Sequence, residues 1–381
     1  MTPDAVNAAL SGAVSALVGA GVLSGAARMV PVPLWTVGSR ASVSGRLDPP
    51  GPADSFDFAT PFPIRLRGAS AGRPPGEVAA ALAERLAAAP GFAAARGHPR
   101  GMLLLRLADG ALSELADEIL AAGERYGSGR TQRPTVIEAV PAGELAAAGS
   151  LAQARGRVRA EVIARLLAAS GARVSWQAPP PPAGCGPDLA GPLAALGADA
   201  LRFAFCHGAA VPAGGAPAAP DLVLWSAQRR GNPVFDVRYA HAHAASALRH
   251  AADLRLTWGP HSAGDALGWQ VEEGRERPDG VSAASAHPLG HPCERALLRM
   301  LFAFPGEVAL AARGAKPQAL VRYLEELADI YHDFHETCRV LPRGDDAADG
   351  TVRARLRLTA ATRTVLGTGL RLIGVSAPER M

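Results

Sequence analysis

Lysine is all but missing from this chain. Lys316 is the only one in 381 residues, so the formal net charge of +4 rests on arginine. Arginine offers planar, bidentate contacts to phosphate and stacks on bases, which a lysine point charge does not. A GC-rich genome would also favour arginine codons, and the mild basic excess permits nucleic-acid binding without demanding it. Aromatic residues make up only 5% and charged residues 19%, against 48% hydrophobic, so the chain is globular rather than disordered. The four cysteines, Cys185, Cys206, Cys293 and Cys338, show no C-x-x-C spacing. Neither a zinc knuckle nor a disulfide framework is indicated, and no metal or other cofactor is expected. No apolar run approaches the roughly 18 residues of a membrane span, so no membrane partner is expected. Asp4, with no early Arg or Lys, argues against a signal peptide, and a cytoplasmic protein is expected.

Alanine dominates many windows, and Ala-Leu-Glu-Arg stretches favour helix. A first helix is predicted from Pro3 to Ala20, then one or two strands within Val30–Ser44 and a Pro/Gly turn region from Leu47 to Asp54. A helix Glu77–Leu86 follows Pro74-Pro75-Gly76, a strand spans Met102–Leu107, and a helix Ala111–Gly123 closes at glycine. These make an α+β unit of plausible domain size over residues 1–128. After a polar break at Gly127–Arg133, strand Thr135–Val140, helix Arg157–Ser170 and strand Arg173–Trp176 form a single β-α-β unit. One such unit cannot build a doubly wound sheet. Pro179 to Pro182 then acts as a stiff linker, so the second segment covers 129–195. From Leu196 the chain reads helical apart from a loop-rich stretch from Leu254 to His291. The firmest periodic helix is Ala319–Val340, carrying Leu320, Tyr323, Leu324, Leu327, Ile330, Tyr331 and Phe334, and Arg353–Ile373 is a second long one. The fold class is therefore mainly α: an α+β N-terminal domain, a β-α-β connector and an all-α helical bundle over 196–381.

The most informative segment is Asn232-Pro233-Val234-Phe235-Asp236-Val237-Arg238-Tyr239-Ala240-His241-Ala242-His243. Asparagine before proline suits a helix start. Phe235, Tyr239 and His243 then share one helical face. Such a face could stack unpaired bases, or it could be a core aromatic pair.

That segment resembles the N-P-V-x-Y-V-Q-Y-A-H-A-R stretch of arginyl-tRNA synthetases, with Arg238 and His243 as departures. Asp199-Ala200-Leu201-Arg202-Phe203 is similar to the D-A-L-R-Y motif that names their anticodon-binding domain. Glu294–Arg299 resembles E-R-A-L-L-R, and His332–His335 with Cys338–Leu341 resembles H-x-F-Y-x-x-C-R-V-L. Ser376–Met381 resembles the closing A-P-E-R-M. Asp57–Thr60 and Gly72–Ala79 are a weaker match to the family's additional N-terminal domain, which packs on the tRNA elbow, with Pro61 in place of an asparagine. The resemblance implies a protein that binds arginine tRNA through the anticodon loop. Asn232, Phe235, Arg238, Tyr239, His243, Phe334, His335, Arg339 and Met381 would contact the RNA, and Asp57, Phe58, Arg65 and Arg67 would be elbow contacts. No DNA is expected as a partner.

Between these domains the family places a catalytic domain of several hundred residues, and here about 65 residues fill the gap. Alignment back from Glu161–Leu167, similar to the first catalytic helix, puts the H-V-G-H signature onto Ser150-Leu151-Ala152-Gln153, where both histidines are missing. Those histidines would bind ATP phosphates as charge develops. The lysine-rich signature loop has no counterpart, since Lys316 lies in the anticodon-binding part. Amino-acid activation is not expected, and no catalytic residue is assigned. An adaptor that presents tRNA to a separate modifying or biosynthetic enzyme is a second possibility, with the 254–291 loop as its docking site. Residual arginine–tRNA ligase activity is a third.

Other motifs carry less. Gly68-Ala69-Ser70-Ala71-Gly72 satisfies G-x-S-x-G, but Arg73-Pro74-Pro75 intervenes before the helix that a nucleophile elbow requires. His241 and His243 point to different sides of a helix. His332 and His335 share a face without a third ligand, and His287 and His291 form only a loop pair.

Overall fold

The computed structural model describes residues 1–25, 34–36, 56–70, 72–129, 136–178, 184–208, 219–256, 289–343 and 348–381. The expected turn at 47–54, the proline linker at 179–182 and nearly all of the 254–291 loop lie outside the described residues. So does most of 30–44. In order the elements are α1 (Pro3–Gly19), β1 (Trp35–Thr36), β2 (Phe58–Thr60), α2 (Phe62–Arg65), α3 (Pro75–Ala87), β3 (Phe92–Gly97), β4 (Leu103–Leu107) and α4 (Asp109–Ala122). Then come β5 (Val136–Ala139), α5 (Leu151–Ala169), β6 (Arg173–Trp176), α6 (Pro187–His207), α7 (Leu222–Ser226), α8 (Pro233–Asp253), α9 (Pro292–Gly314), α10 (Pro317–Thr337) and α11 (Gly350–Ile373). The protein is mostly helical, as expected.

The described chain forms two compact units, and each draws on several stretches of sequence. The first holds 1–123, 247–303 and 333–362; the second holds 124–246, 304–332 and 363–381.

In the first unit an antiparallel sheet runs in the order β1-β2-β4-β3. Helix α1 starts where Thr2 Oγ1 accepts from the Ala5 amide at 3.2 Å, with Pro3 in the first turn. Strand β3 was not foreseen: Phe92-Ala-Ala-Ala-Arg-Gly97 has helix-favouring composition, but pairing with Leu103–Leu107 overrides it. Its last residue lies against α3, where a Cβ on Gly97 would sit 2.4 Å from the Ala80 nitrogen. Phe58 and Phe302 pack with ring centroids 4.4 Å apart in the core.

In the second unit β5 and β6 pair in parallel, Val136 with Arg173 through Ala139 with Trp176, and α5 connects them. This is the expected β-α-β unit. Ser150 caps α5 by accepting from the Gln153 amide at 3.1 Å. Buried Glu161 on α5 accepts from Arg165 at 2.5 Å, from Arg202 at 3.0 Å and from the Ala142 amide at 3.2 Å. Helix α6 reaches the length and hydropathy of a membrane span, although no such run was read in the sequence. It breaks at Gly197 (φ 75, ψ 171), and Leu201, Phe203 and Phe205 of its second half are buried in the protein. That break starts a fresh helical turn just before Asp199.

Candidate nucleic-acid interface

The second unit contains a pocket of about 400 Å³. Three stretches in and around α6, α7 and α8 line it together with Met381: Leu196–Ala200 across the Gly197 break, Trp225 of α7 with Gln228 just after it, and Asn232 just before α8 with Val234, Phe235 and Arg238. Asn232, Phe235, Arg238 and Met381, which the sequence placed on RNA, thus converge on one cavity.

Asn232 plays a different local part from the helix cap expected of it. Its Nδ2 reaches backward and donates to the carbonyls of Trp225 at 3.0 Å and Ala227 at 2.8 Å, which holds the α7 turn against α8. Asp236 Oδ2 accepts from the Gly231 amide at 3.0 Å and secures the helix start instead. Gly231 has φ 95, a conformation open to glycine at little cost. Asn232 is buried, so its first role is to shape the pocket wall.

The last residues are tied to the same site. Asp199 accepts from the Ser376 amide at 3.2 Å and from its hydroxyl, and Arg238 lies 3.6 Å from Asp199 and donates to Ser376 Oγ at 3.2 Å. His241 Nδ1 lies 2.8 Å from the Pro378 carbonyl oxygen, and Arg363 pairs with Glu379. These bonds tie Asp199, Arg238 and His241 to Ser376 and Pro378, and Met381 lies at the pocket.

Beside the pocket, Phe235, Tyr239 and His243 form a ladder along α8. Phe235 and Tyr239 stack at 5.5 Å and 8°, and Tyr239 and His243 at 5.6 Å and 12°. His332 of α10 stacks against Tyr239 at 5.5 Å and against His243 at 6.0 Å, and Tyr331 meets His243 edge-on at 6.0 Å. Tyr331 and His332 are buried, whereas Tyr239 is 37% exposed. Burial lowers the proton affinity of His243, so the ladder is uncharged at neutral pH where the family pattern carries arginine. A flat, neutral, part-exposed ring stack can receive a base by stacking.

The other expected residues lie in the first unit. Phe334 is fully buried, His335 half-buried and Arg339 exposed, with the Arg339 carbonyl accepting from Arg355 at 3.0 Å. Of the elbow candidates, Phe58 is in the core. Asp57 is buried, accepting from Arg295 at 2.8 and 2.6 Å and from the Leu107 amide at 2.8 Å. Burial takes both side chains away from a surface ligand. Arg65 is exposed, and the Arg67 side chain lies outside what is described. Asp199, Trp225, Gln228, Tyr331 and His332 join the site without having been singled out for it. The i, i+3 and i+4 spacing from Phe334 and His335 hinted at the α10 pair; the short α7 turn carries no periodicity that could have exposed Trp225.

At the N-terminus of α5 the geometry is closed. Asp188 Oδ2 accepts from the Leu151 amide at 3.0 Å, and Gly149 donates to Gln153 Oε1 at 2.6 Å. A Cβ on Gly186 would lie 2.0 Å from the Gly149 oxygen, so this backbone approach needs glycine. A carboxylate of the protein itself occupies the place where helix amides would meet an anion.

The family model for the DALR anticodon binding domain matches residues 270–381. The chain carries a DALR anticodon-binding domain. It has arginyl-tRNA synthetase homologues as well: it is 46% identical over 161 residues to an arginine–tRNA ligase of Frankia alni, a match covering 42% of this chain and 25% of that relative. The chain thus spans about a quarter of the relative's length. The arginyl-tRNA synthetase of Thermus thermophilus shares the fold, with a TM-score of 0.56 at 15% identity over 100% of both chains. Of the residues lining the pocket, Met381 falls within the matched stretch and the others precede it in sequence.

Proposed function

We propose that this protein binds tRNA, arginine tRNA in particular, through its anticodon loop and does not activate an amino acid. The observation that carries the reading is the pocket in which Asn232, Phe235, Arg238 and Met381 meet beside the Phe235–Tyr239–His243 ladder. A concave site in which Arg238 is paired with Asp199, beside an adjoining ring stack, suits an unpaired base. Residues 196–381 act as the anticodon-binding part, 1–128 as an accessory domain and 129–195 as what is left of a catalytic fold. The partner is RNA rather than DNA or a lipid surface, and the setting is the cytoplasm.

The absence of activation is supported by the α5 N-terminus. Ser150 and Gln153 stand where ATP-binding histidines would be expected, and the Asp188 carboxylate on the Leu151 amide repels a phosphate there. Filter binding or mobility shift with purified tRNAs tests the proposal. Arginine tRNA is expected to bind more tightly than other tRNAs at fixed salt. Equal, weak and steeply salt-sensitive binding to every tRNA would reduce the site to a generic basic surface.

A further inference from the structure

We propose that a carboxyl cluster behind the pocket makes RNA binding proton-linked, so that the site holds RNA more tightly when Glu325 carries its proton. This rests on the pocket being the RNA site. Four groups face Glu325 among the described residues. His207 Nε2, at the end of α6, lies 3.3 Å from Glu325 Oε1. Arg322 and Asp329 flank it on α10, and Asp236 faces it from α8. Arg230, just before α8, reaches Asp236 Oδ1 and Asp329 Oδ1, each at 3.4 Å. Neither Glu325 Oε1 nor Asp236 Oδ1 has a hydrogen bond within the protein, although both atoms are buried. Three carboxyls thus crowd together with one guanidinium bridging two of them.

Such crowding favours a proton on the most enclosed member. Burial first, and then Asp329 and Asp236 working against Arg322, push the Glu325 carboxyl up to about 7. Burial, helped by Arg322, lowers the proton affinity of His207, so the imidazole does not compensate by charging near neutrality.

The cluster touches the pocket wall at two points. The His207 ring meets Trp225 edge-on at 5.3 Å, and Trp225 lines the pocket. Asp236 holds the Gly231 amide, next to Asn232, and follows Phe235 directly. Ionisation of Glu325 therefore adds a part-buried negative charge behind a site meant for a polyanion. RNA bound there favours the protonated carboxyl, so affinity falls as pH rises through about 7, and binding is accompanied by proton uptake.

The test is tRNA affinity of the full chain at fixed ionic strength between pH 6 and 8. Wild type is expected to bind roughly three- to tenfold more weakly at the upper end, the scale of one charge acting across a partly screened distance. Glu325→Gln should bind with little pH dependence and match the wild-type affinity at pH 6. Asp329→Asn, at an exposed position, keeps the test sound should Glu325→Gln misfold: losing a repelling charge should move the midpoint to lower pH. A pH dependence of wild-type size in Glu325→Gln, or an unmoved midpoint in Asp329→Asn, overturns the proposal. Binding that ignores pH in wild type removes this inference alone; no tRNA binding at any pH removes the pocket reading with it.

Discussion

Tyr239 has a ring on each side along α8 and a third from α10, yet over a third of it is open to solvent. A side chain needed only for packing would gain by being covered. Replacing it with alanine should cost about 1–3 kcal/mol of RNA affinity while the circular dichroism spectrum and melting temperature stay close to wild type. Tyr239→Phe should retain most of the affinity, since the aromatic ring survives. Unchanged binding in Tyr239→Ala would move the ladder to a scaffold role. Glu161 is the opposite kind of residue, buried under two guanidiniums that also reach the Gly143 and Arg371 carbonyls. Glu161→Gln leaves both arginines short of a counter-charge and should cost roughly 2–4 kcal/mol in urea unfolding. The aromatic ladder was legible from i, i+4 spacing alone. Whether it formed core or surface was not, because periodicity reports a shared face and not what covers it.

Among the elements, α10 and α11 were the most legible. Leu320, Tyr323, Leu324, Leu327, Tyr331 and Phe334 keep helical spacing, and all are buried. Strand β3 was not legible, because its order comes from a partner strand and from α3 rather than from its own residues. Gly97→Ala tests that contact: the added methyl meets the α3 backbone, which cannot swing aside, and roughly 1–3 kcal/mol of stability should be lost in a thermal melt. Helix α9 carries Glu307, which burial first and Glu326 second raise to about 7. The folded protein then holds this proton more firmly than the unfolded chain. The favourable contribution is complete below about pH 4.5 and is lost as pH rises through 7. Glu307→Gln should therefore stabilise the protein by about 1–2 kcal/mol at pH 8, allowing for partial solvent exposure, and change little at pH 4.

For the whole molecule the question is chemistry. Among the described residues the parallel sheet has two strands and a single crossover helix, with no switch point between neighbouring crossovers, the place where α/β folds bind nucleotides. ATP–pyrophosphate exchange in the presence of arginine and tRNA is expected to stay at background. A rate clearly above it would reinstate the ligase reading.

Composition and the ordered motifs were enough to indicate a mostly helical protein with an anticodon-binding domain. Those are properties of residue identity and local spacing, which a linear sequence carries. The meeting of Asp199, Asn232 and Met381 around one pocket, the Asp188 carboxylate at the α5 amides and the carboxyl cluster at Glu325 depend on residues far apart in the chain. Only packing decides which distant groups share a dielectric environment and which must neutralise one another, and so only the tertiary structure could bring them to light.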